Sequence, residues 1–186
     1  MSTLSLPAPK RVVIFGGSGF IVRHLTAFLG ESCGSPEILL ADIVEPTWAV
    51  PANAKYVQCD VRKPIAGIAE SAVDLIINLA AVHRTPGHPD HEYHETNEGG
   101  ATNVVAFAEE VACGRIWFTS SIAVYGPDEE PKTEQSVPAP VSAYGKSKLA
   151  AEEIHREWAG SAANRTLTIA RPATVFGQGE GGNFTR

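Results

Sequence analysis

VVIFGGSGFIV, residues 12–22, contains the three parts from which the fold can be predicted. Val12–Phe15 is a short apolar run typical of a buried strand, and a helix is expected to begin near Phe20. Between them, the glycines of the GGSG turn let the backbone approach a pyrophosphate, whose charge the helix N-terminus stabilises. An ordinary strand-to-helix connection is the alternative interpretation of this turn taken alone.

Short apolar runs recur along the chain and alternate with segments of helical periodicity. Their uninterrupted apolar character fits parallel strands that are covered on both faces of a sheet. The alternation predicts right-handed crossovers and an α/β fold built on a doubly wound parallel sheet. The predicted strands are Val12–Phe15, Ile38–Ala41, Tyr56–Cys59, Leu75–Leu79, Arg115–Thr119 and Leu167–Ala170, and the predicted helices span about Phe20–Leu29, Glu92–Ala112 and Tyr144–Ala159.

Composition excludes several classes of protein. The 186 residues carry a net charge of −6, so no basic surplus exists to neutralise nucleic-acid phosphates. No apolar run approaches the roughly 18 residues that a membrane span needs. The three cysteines, Cys33, Cys59 and Cys113, are odd in number and form no C-x-x-C pair, which indicates a reduced, cytoplasmic protein.

Asp42 ends the second predicted strand. At that place a carboxylate can accept hydrogen bonds from the ribose of an adenosine, and it would repel a 2′-phosphate. Together with the glycine turn, Asp42 predicts a dinucleotide site that prefers NAD over NADP. For Asp42 alone, an aspartate that caps a loop is the alternative interpretation.

Three further motifs follow in a recognisable order. They are Asn78–Ala81 (NLAA), Thr119–Gly126 (TSSIAVYG) and Tyr144–Lys148 (YGKSK). With the glycine turn, they resemble the extended short-chain dehydrogenase/reductase family, in its NAD-dependent sugar-nucleotide epimerase/dehydratase branch. The resemblance covers about residues 11–179 and implies a Rossmann fold.

The resemblance implies a cofactor role for residues that the motifs match. It places Asp60 and Val61 beside the adenine, Asn97 in support of the active-site helix, and His83 where some relatives have a lysine that touches the cofactor phosphates. It also places Arg171 to Thr174 along the nicotinamide. The implied cofactor-binding set is Gly16, Gly19, Phe20, Ile21, Asp42, Asp60, Val61, Leu79, Ala80, Ala81, His83, Asn97, Tyr144, Lys148 and Pro172.

The chain departs from the family at Val22, where relatives usually have the third glycine of the turn. That glycine allows the helix to pack closely on the strand. We therefore expect Val22 to push the helix outward and to weaken NAD binding without abolishing it.

The catalytic residues expected from these motifs are Ser121, Tyr144 and Lys148. Tyr144 and Lys148 are four residues apart, so both lie on one face of a helix. A free tyrosine has a pKa near 10, and a nearby ammonium together with the positive nicotinamide would lower it enough for proton transfer. Ser121 would hydrogen-bond the reacting hydroxyl or carbonyl and align it with Tyr144.

The residues after Ser121 restrict the type of reaction that can be expected. Sugar dehydratases of the family carry an Asp-Glu pair there, whereas this chain has Ile122 and Ala123, which cannot move protons. The prediction is an epimerase that oxidises a nucleotide-sugar hydroxyl and returns the hydride to the other face. A one-way NAD(P)-dependent sugar or carbonyl dehydrogenase/reductase and a catalytically silent dinucleotide-binding protein remain open alternatives.

The expected organisation is a flexible tail over residues 1–10, an NAD-binding Rossmann domain over 11–180, and the start of a truncated substrate-binding region at 181–186. Because relatives continue further, we expect weak or no turnover from this length. A homodimer through the two long helices is possible by the same resemblance. We expect no metal site, because the histidines of the HPDHEYH stretch at 88–94 belong to a solvated loop that leads into a helix. Glu152 is expected on a solvated helix face.

Overall fold

The computed structural model describes residues 7–69, 71–83 and 87–180. Within these residues, the strands form one sheet in the order β3-β2-β1-β4-β5-β6, and every neighbouring pair is parallel. The strands are β1 Arg11–Phe15, β2 Glu37–Asp42, β3 Ala54–Gln58, β4 Leu75–Asn78, β5 Arg115–Thr119 and β6 Thr166–Ala170. The prediction of a doubly wound parallel sheet is confirmed.

The helices connect these strands in the predicted alternation. They are α1 Phe20–Ser32, α2 Asp90–Tyr93, α3 Gly100–Glu110 and α4 Ala143–Gly160, with a π-helical segment at His94–Gly99 and a 3₁₀ turn at Ile122–Tyr125. None of the helices in the described ranges is both long enough and apolar enough to cross a bilayer.

Helices cover both faces of the sheet. Val13 and Phe15 of β1 belong to a buried cluster with α3, whereas Val12 and Ile14 belong to one with Val22 and Leu29 of α1. Successive residues of a strand point to opposite faces, so an uninterrupted apolar strand is what a sheet covered on both sides requires. The order of strands reverses between β1 and β4, which opens a crevice at their carboxyl ends.

The observed elements differ from the predicted ones mainly at their ends and in one helix. The predicted helix Glu92–Ala112 is interrupted by the π-helical segment His94–Gly99. The predicted strand Leu75–Leu79 ends at Asn78, and the predicted strand Tyr56–Cys59 is displaced to Ala54–Gln58.

Residues 7–10 are held against the sheet, which differs from the flexible tail predicted for residues 1–10. The backbone N–H groups of Lys10 and Arg11 donate to the Asp74 carboxylate at 2.8 and 2.9 Å. The Arg115 guanidinium donates to the Pro7 carbonyl at 2.8 Å. Residues 1–6, and the region 181–186 predicted to begin a substrate-binding lobe, lie outside the described residues.

Candidate active site

A cleft of about 410 Å³ lies at the carboxyl ends of the central strands. It brings together the glycine turn, the residues after β4 and the predicted catalytic residues. Of the residues predicted from the sequence, its lining contains Gly16, Gly19, Phe20, Ile21, Leu79, Ala81, His83, Ser121, Tyr144, Lys148 and Pro172. Ala173 and Thr174, which the resemblance places along the nicotinamide, also line it.

The glycine turn is built for close approach. Gly16 has a φ of +76°, and a Cβ there would lie 2.8 Å from the Ala80 nitrogen and from the Leu79 carbonyl carbon. No side chain caps α1 at Gly19, and its first turn holds no acidic residue. The N–H groups of that turn therefore remain available to an anion, so the residues present fit the pyrophosphate of a dinucleotide.

Val22 is fully buried and packs with β1 and β2 residues such as Ile14 and Leu40, while it also lines the cleft. Replacing Val22 by glycine is expected to increase NAD affinity several-fold and to lower the free energy of unfolding by about 2–3 kcal/mol, because a buried side chain is lost from a helix. Calorimetric titration with NAD and urea denaturation would measure both effects. Val22→Ala is the control for lost volume, and an unchanged NAD affinity in Val22→Gly would contradict the expectation.

Asp42 is the last residue of β2, and Asp60 and Val61 follow β3; all three lie outside the lining of the cleft. The Asp42 carboxylate accepts hydrogen bonds from the N–H groups of Ser18 and Val44, at 2.9 and 3.3 Å, so it ties β2 to the glycine turn. Asp60 pairs with Arg62, which holds the pKa of Asp60 below its usual value. Val61 is buried against Gly100. Their contacts with a ribose or an adenine stay predictions.

Asn97 lies in the π-helical segment and is buried away from the cleft lining. Its side chain accepts from the Val82 N–H at 2.9 Å and donates to the Val82 carbonyl at 3.1 Å and to the Ser147 hydroxyl at 2.9 Å. Asn97 therefore joins the segment after β4 to α4. A π-helical turn often occurs at a functional site, and here it carries this asparagine.

Tyr144 and Lys148 project from the first turns of α4, which Ser142 begins by accepting from the Gly145 N–H at 3.0 Å. Burial raises the pKa of Tyr144, and the Ser121 hydroxyl opposes that shift. The lowering of this pKa by Lys148 together with the nicotinamide of bound NAD⁺ stays a prediction. Burial lowers the pKa of Lys148 to about 7, although the Glu152 carboxylate acts to raise it.

Glu152, predicted to be solvated, is fully buried instead. Its carboxylate accepts two hydrogen bonds from Arg171, at 2.8 and 2.6 Å, and Arg171 also donates to the Tyr125 hydroxyl at 2.7 Å. Burial opposes ionisation of Glu152, but the hydrogen bonds from Arg171 outweigh it and hold its pKa below the usual value. Arg171 does not line the cleft, and its contact with a nicotinamide stays a prediction.

The helical spacing of Glu152 predicts that its side chain is buried, although the sequence analysis placed it on a solvated helix face. Glu152 is four residues after Lys148, and His155 is three further on, so all three share one face of α4. Once Lys148 is taken as an active-site residue, that face must be buried, and a carboxylate on it needs a partner.

The histidine-rich stretch shows only local pairs in the described residues. His88 contacts Glu92 at 2.7 Å, and His94 contacts Glu98 at 3.0 Å, each one helical turn apart. Across the parts of the chain that the structure describes, no group of three or more His, Cys, Asp or Glu side chains could hold a metal ion.

A second and larger cavity, of about 850 Å³, lies beside β6 and is lined by Leu167, Ile169 and Arg171 among others. Neither Tyr144, Lys148 nor the glycine turn lines it. Chemistry therefore places the candidate active site in the smaller cleft.

Comparison with known proteins identifies the family of the chain. The model of the NAD dependent epimerase/dehydratase family matches residues 12–186. The chain belongs to this family. The match confirms the resemblance inferred from the motifs and, with it, NAD as the cofactor.

Several relatives are epimerases. N-acetyl-alpha-D-glucosaminyl-diphospho-ditrans,octacis-undecaprenol 4-epimerase of Escherichia coli O157:H7 is 41% identical over 116 residues, which are 62% of this chain and 35% of the relative. UDP-glucose 4-epimerase of Lactobacillus helveticus is 26% identical and covers 94% of this chain and 54% of its own. The chain thus spans about half or less of these relatives' length.

Solved structures share the fold. A UDP-galactose 4-epimerase superposes with a TM-score of 0.77 at 26% identity and covers 87% of this chain and 55% of that one. A UDP-glucuronic acid 4-epimerase from Bacillus cereus, solved in complex with NAD, gives a TM-score of 0.76 at 21% identity over 90% of this chain and 57% of that one.

Proposed function

We propose that the protein is an NAD-dependent 4-epimerase that acts on a hexose joined to a diphosphate. The observation that carries the proposal is the convergence of Ser121, Tyr144 and Lys148 with the glycine turn in one cleft. Because Ile122 and Ala123 offer no acid or base beside Ser121, water elimination is disfavoured and reversible oxidation of a hydroxyl remains.

We infer that the substrate is a nucleotide-sugar, as with the UDP-sugar epimerases among the relatives. The 41% identity to an epimerase of a polyprenyl-diphosphate sugar favours a lipid carrier as a second candidate. Both carriers present the sugar on a diphosphate, so the same proton chemistry at the sugar would serve either substrate.

Each residue of the cleft would have its own role in the reaction. Tyr144 takes the proton of the sugar hydroxyl, while Ser121 hydrogen-bonds the same oxygen and holds it in line. Lys148 positions the cofactor ribose, and the N–H groups at the start of α1 hold the pyrophosphate. Bound NAD would supply the acceptor and donor for the carbon-bound hydride, and its positive ring would favour the Tyr144 phenolate, which burial alone disfavours.

Replacing Tyr144 by phenylalanine is expected to lower turnover by about 10²-fold or more, because the proton acceptor is lost. NAD affinity should stay within about threefold of the wild type, since only a hydroxyl is removed. The control is Tyr56→Phe, because Tyr56 donates to the Asp42 carbonyl on β2 and does not line the cleft. Equal turnover in the Tyr144 variant and the wild type would overturn the assignment.

The proposed reaction is tested by incubating the protein with UDP-glucose, UDP-N-acetylglucosamine and polyprenyl-diphospho-N-acetylglucosamine and by detecting the 4-epimer chromatographically. Epimer without accumulating NADH supports the proposal. NADH accumulating with a keto product would favour a one-way dehydrogenase, a class represented among the relatives by 3 beta-hydroxysteroid dehydrogenase/Delta 5-->4-isomerase of Vaccinia virus at 27% identity. NAD binding without turnover would favour a silent binding protein.

We propose that the protein acts in the cytoplasm, because its three cysteines are free, as is usual in a reducing compartment. We also propose a homodimer through the outer surfaces of α3 and α4, which sedimentation velocity would test. A monomer at micromolar concentration would contradict this assembly.

A further inference from the structure

His155 is a buried histidine of α4 that the proposed reaction does not use. It is fully inaccessible to solvent, and burial lowers its pKa to about 4. Its Nδ1 lies 2.6 Å from the Ala151 carbonyl, and its Nε2 lies 3.4 Å from the side-chain nitrogen of Asn78. A carbonyl only accepts, so Nδ1 carries the proton and Nε2 is left to accept from the Asn78 amide.

Asn78 links His155 to the cofactor cleft. While its nitrogen faces His155, its oxygen accepts from the backbone N–H of Ala80 at 3.2 Å. The Leu79–Ala80 peptide in turn lies directly against Gly16, where a Cβ would come within 2.8 Å of it. Two hydrogen bonds therefore connect α4 to the Leu79–Ala80 peptide, and that peptide packs against the glycine turn.

The ring of His155 makes a separate contact. It stacks on Phe118 of β5, with ring centres 4.2 Å apart and planes 14° from parallel. The Lys148 ammonium lies 4.6 Å from the centre of the same Phe118 ring. His155 thus makes two contacts, one through its ring face and one through Nε2.

We propose that His155 is a positioning residue, which fixes the Leu79–Ala80 peptide through Asn78, whereas its stacking on Phe118 contributes to stability. This inference rests on the proposed function, because it is the NAD site that this peptide borders. A histidine buried only for packing would need neither the acceptor at Nε2 nor a fixed tautomer.

Two substitutions separate the two contacts. His155→Phe keeps an aromatic ring on Phe118 but removes the acceptor, which leaves the buried Asn78 amide without its partner. His155→Gln removes the ring but keeps an oxygen that can accept from Asn78. We expect the NAD dissociation constant to rise about five- to tenfold in His155→Phe and to stay within about twofold of the wild type in His155→Gln.

Thermal unfolding distinguishes a positioning role of His155 from a purely structural one. His155→Gln is expected to melt at the lower temperature, because it loses the stacked ring, yet to bind NAD better than His155→Phe. If NAD affinity instead follows the melting temperature in both variants, the proposal is overturned. Asn78→Ala is expected to weaken NAD binding as His155→Phe does, and it takes the place of His155→Phe if that variant does not fold.

The tautomer can be tested in the wild type without any cofactor. Long-range ¹H–¹⁵N correlation spectra are expected to show His155 protonated at Nδ1, and protonation at Nε2 would overturn the proposal. If the wild type fails to bind NAD, the proposed function fails, and the tautomer still decides whether the path through Asn78 exists.

Discussion

Replacing Lys148 by methionine is expected to stabilise the protein at pH 7, by about 3–5 kcal/mol, while it removes a group that the proposed reaction needs. Lys148 is 2% exposed, and burial brings its pKa from 10.5 to about 7. In the unfolded chain the same amine binds its proton fully at neutral pH. Folding must therefore release this proton or bury the charge, and methionine avoids both costs.

The sign of the pH dependence follows from the same shift. Between pH 7 and 10.5 the unfolded state binds more protons at Lys148 than the folded state does, so wild-type stability gains with pH relative to the variant. Below pH 7 the difference is at its maximum. Urea denaturation of both proteins at about pH 7 and pH 9 should show their difference shrinking by about 2–3 kcal/mol.

The control for this prediction lies on the same helix. Lys146, two residues earlier, is exposed, so Lys146→Met should change the free energy of unfolding by less than about 0.5 kcal/mol at either pH. If both lysine variants show the same stability and the same pH dependence, Lys148 is not buried as described, and the cleft loses its proposed cofactor-positioning amine.

Most of the cleft could be predicted from the sequence because its parts are local. The glycine turn and the Tyr144–Lys148 pair each depend on a few neighbouring residues. Parallel strands bring their carboxyl ends to one edge, so the topology alone gathers these parts. The pairing of Val12 with Leu75 and of Val13 with Ile76, which places β4 beside β1, follows from that topology.

The electrostatics of the cleft could not be predicted in the same way. Spacing puts Lys148 beside Tyr144, but whether the amine stays charged depends on how deeply α4 is buried against β5 and α3. The sequence interpretation assumed a charged lysine, whereas burial dominates the pKa of both side chains. For the same reason, the sequence predicted Glu152 to be a surface residue. Its burial depends on the pairing with Arg171, which lies nineteen positions later in the chain.

The π-helical segment also lay beyond prediction. Residues 92–112 have continuous helical character, and nothing in their periodicity marks an extra residue in one turn. The interruption accompanies long-range hydrogen bonds of Asn97, with Val82 on one side and Ser147 on the other. Only packing between segments that are distant in sequence can select such a turn.

Replacing Arg171 by methionine is expected to lower the free energy of unfolding by about 3–5 kcal/mol, because it leaves the Glu152 carboxylate buried without its main partner. The Glu152 side chain is 1% exposed and that of Arg171 is 12% exposed, so solvent cannot replace the lost bonds. Adding Glu152→Gln to the Arg171 variant should restore much of the loss, since the unpaired charge is then gone. Urea denaturation at pH 7 measures both steps.

Arg156 is a matched control, because it contacts the same carboxylate from the surface. Its guanidinium lies 3.5 Å from Glu152 and its side chain is 58% exposed, so Arg156→Met should cost less than about 1 kcal/mol. Equal losses in the two arginine variants would contradict a buried Glu152–Arg171 pair.

The loss of stability at acidic pH is a second test of the Glu152–Arg171 pair. In the wild type the pKa of Glu152 is lowered, so its contribution to stability is present above the unfolded pKa, near 4.5, and is lost as the pH falls through the folded value. Without Arg171, burial is opposed mainly by the weaker contact with Arg156, so the pKa of Glu152 should rise. The variant should then lose less stability than the wild type on acidification below about pH 5. Arg171 directly precedes Pro172, which lines the cleft. The same variant should therefore also bind NAD more weakly, which would connect the buried ion pair to the cofactor site.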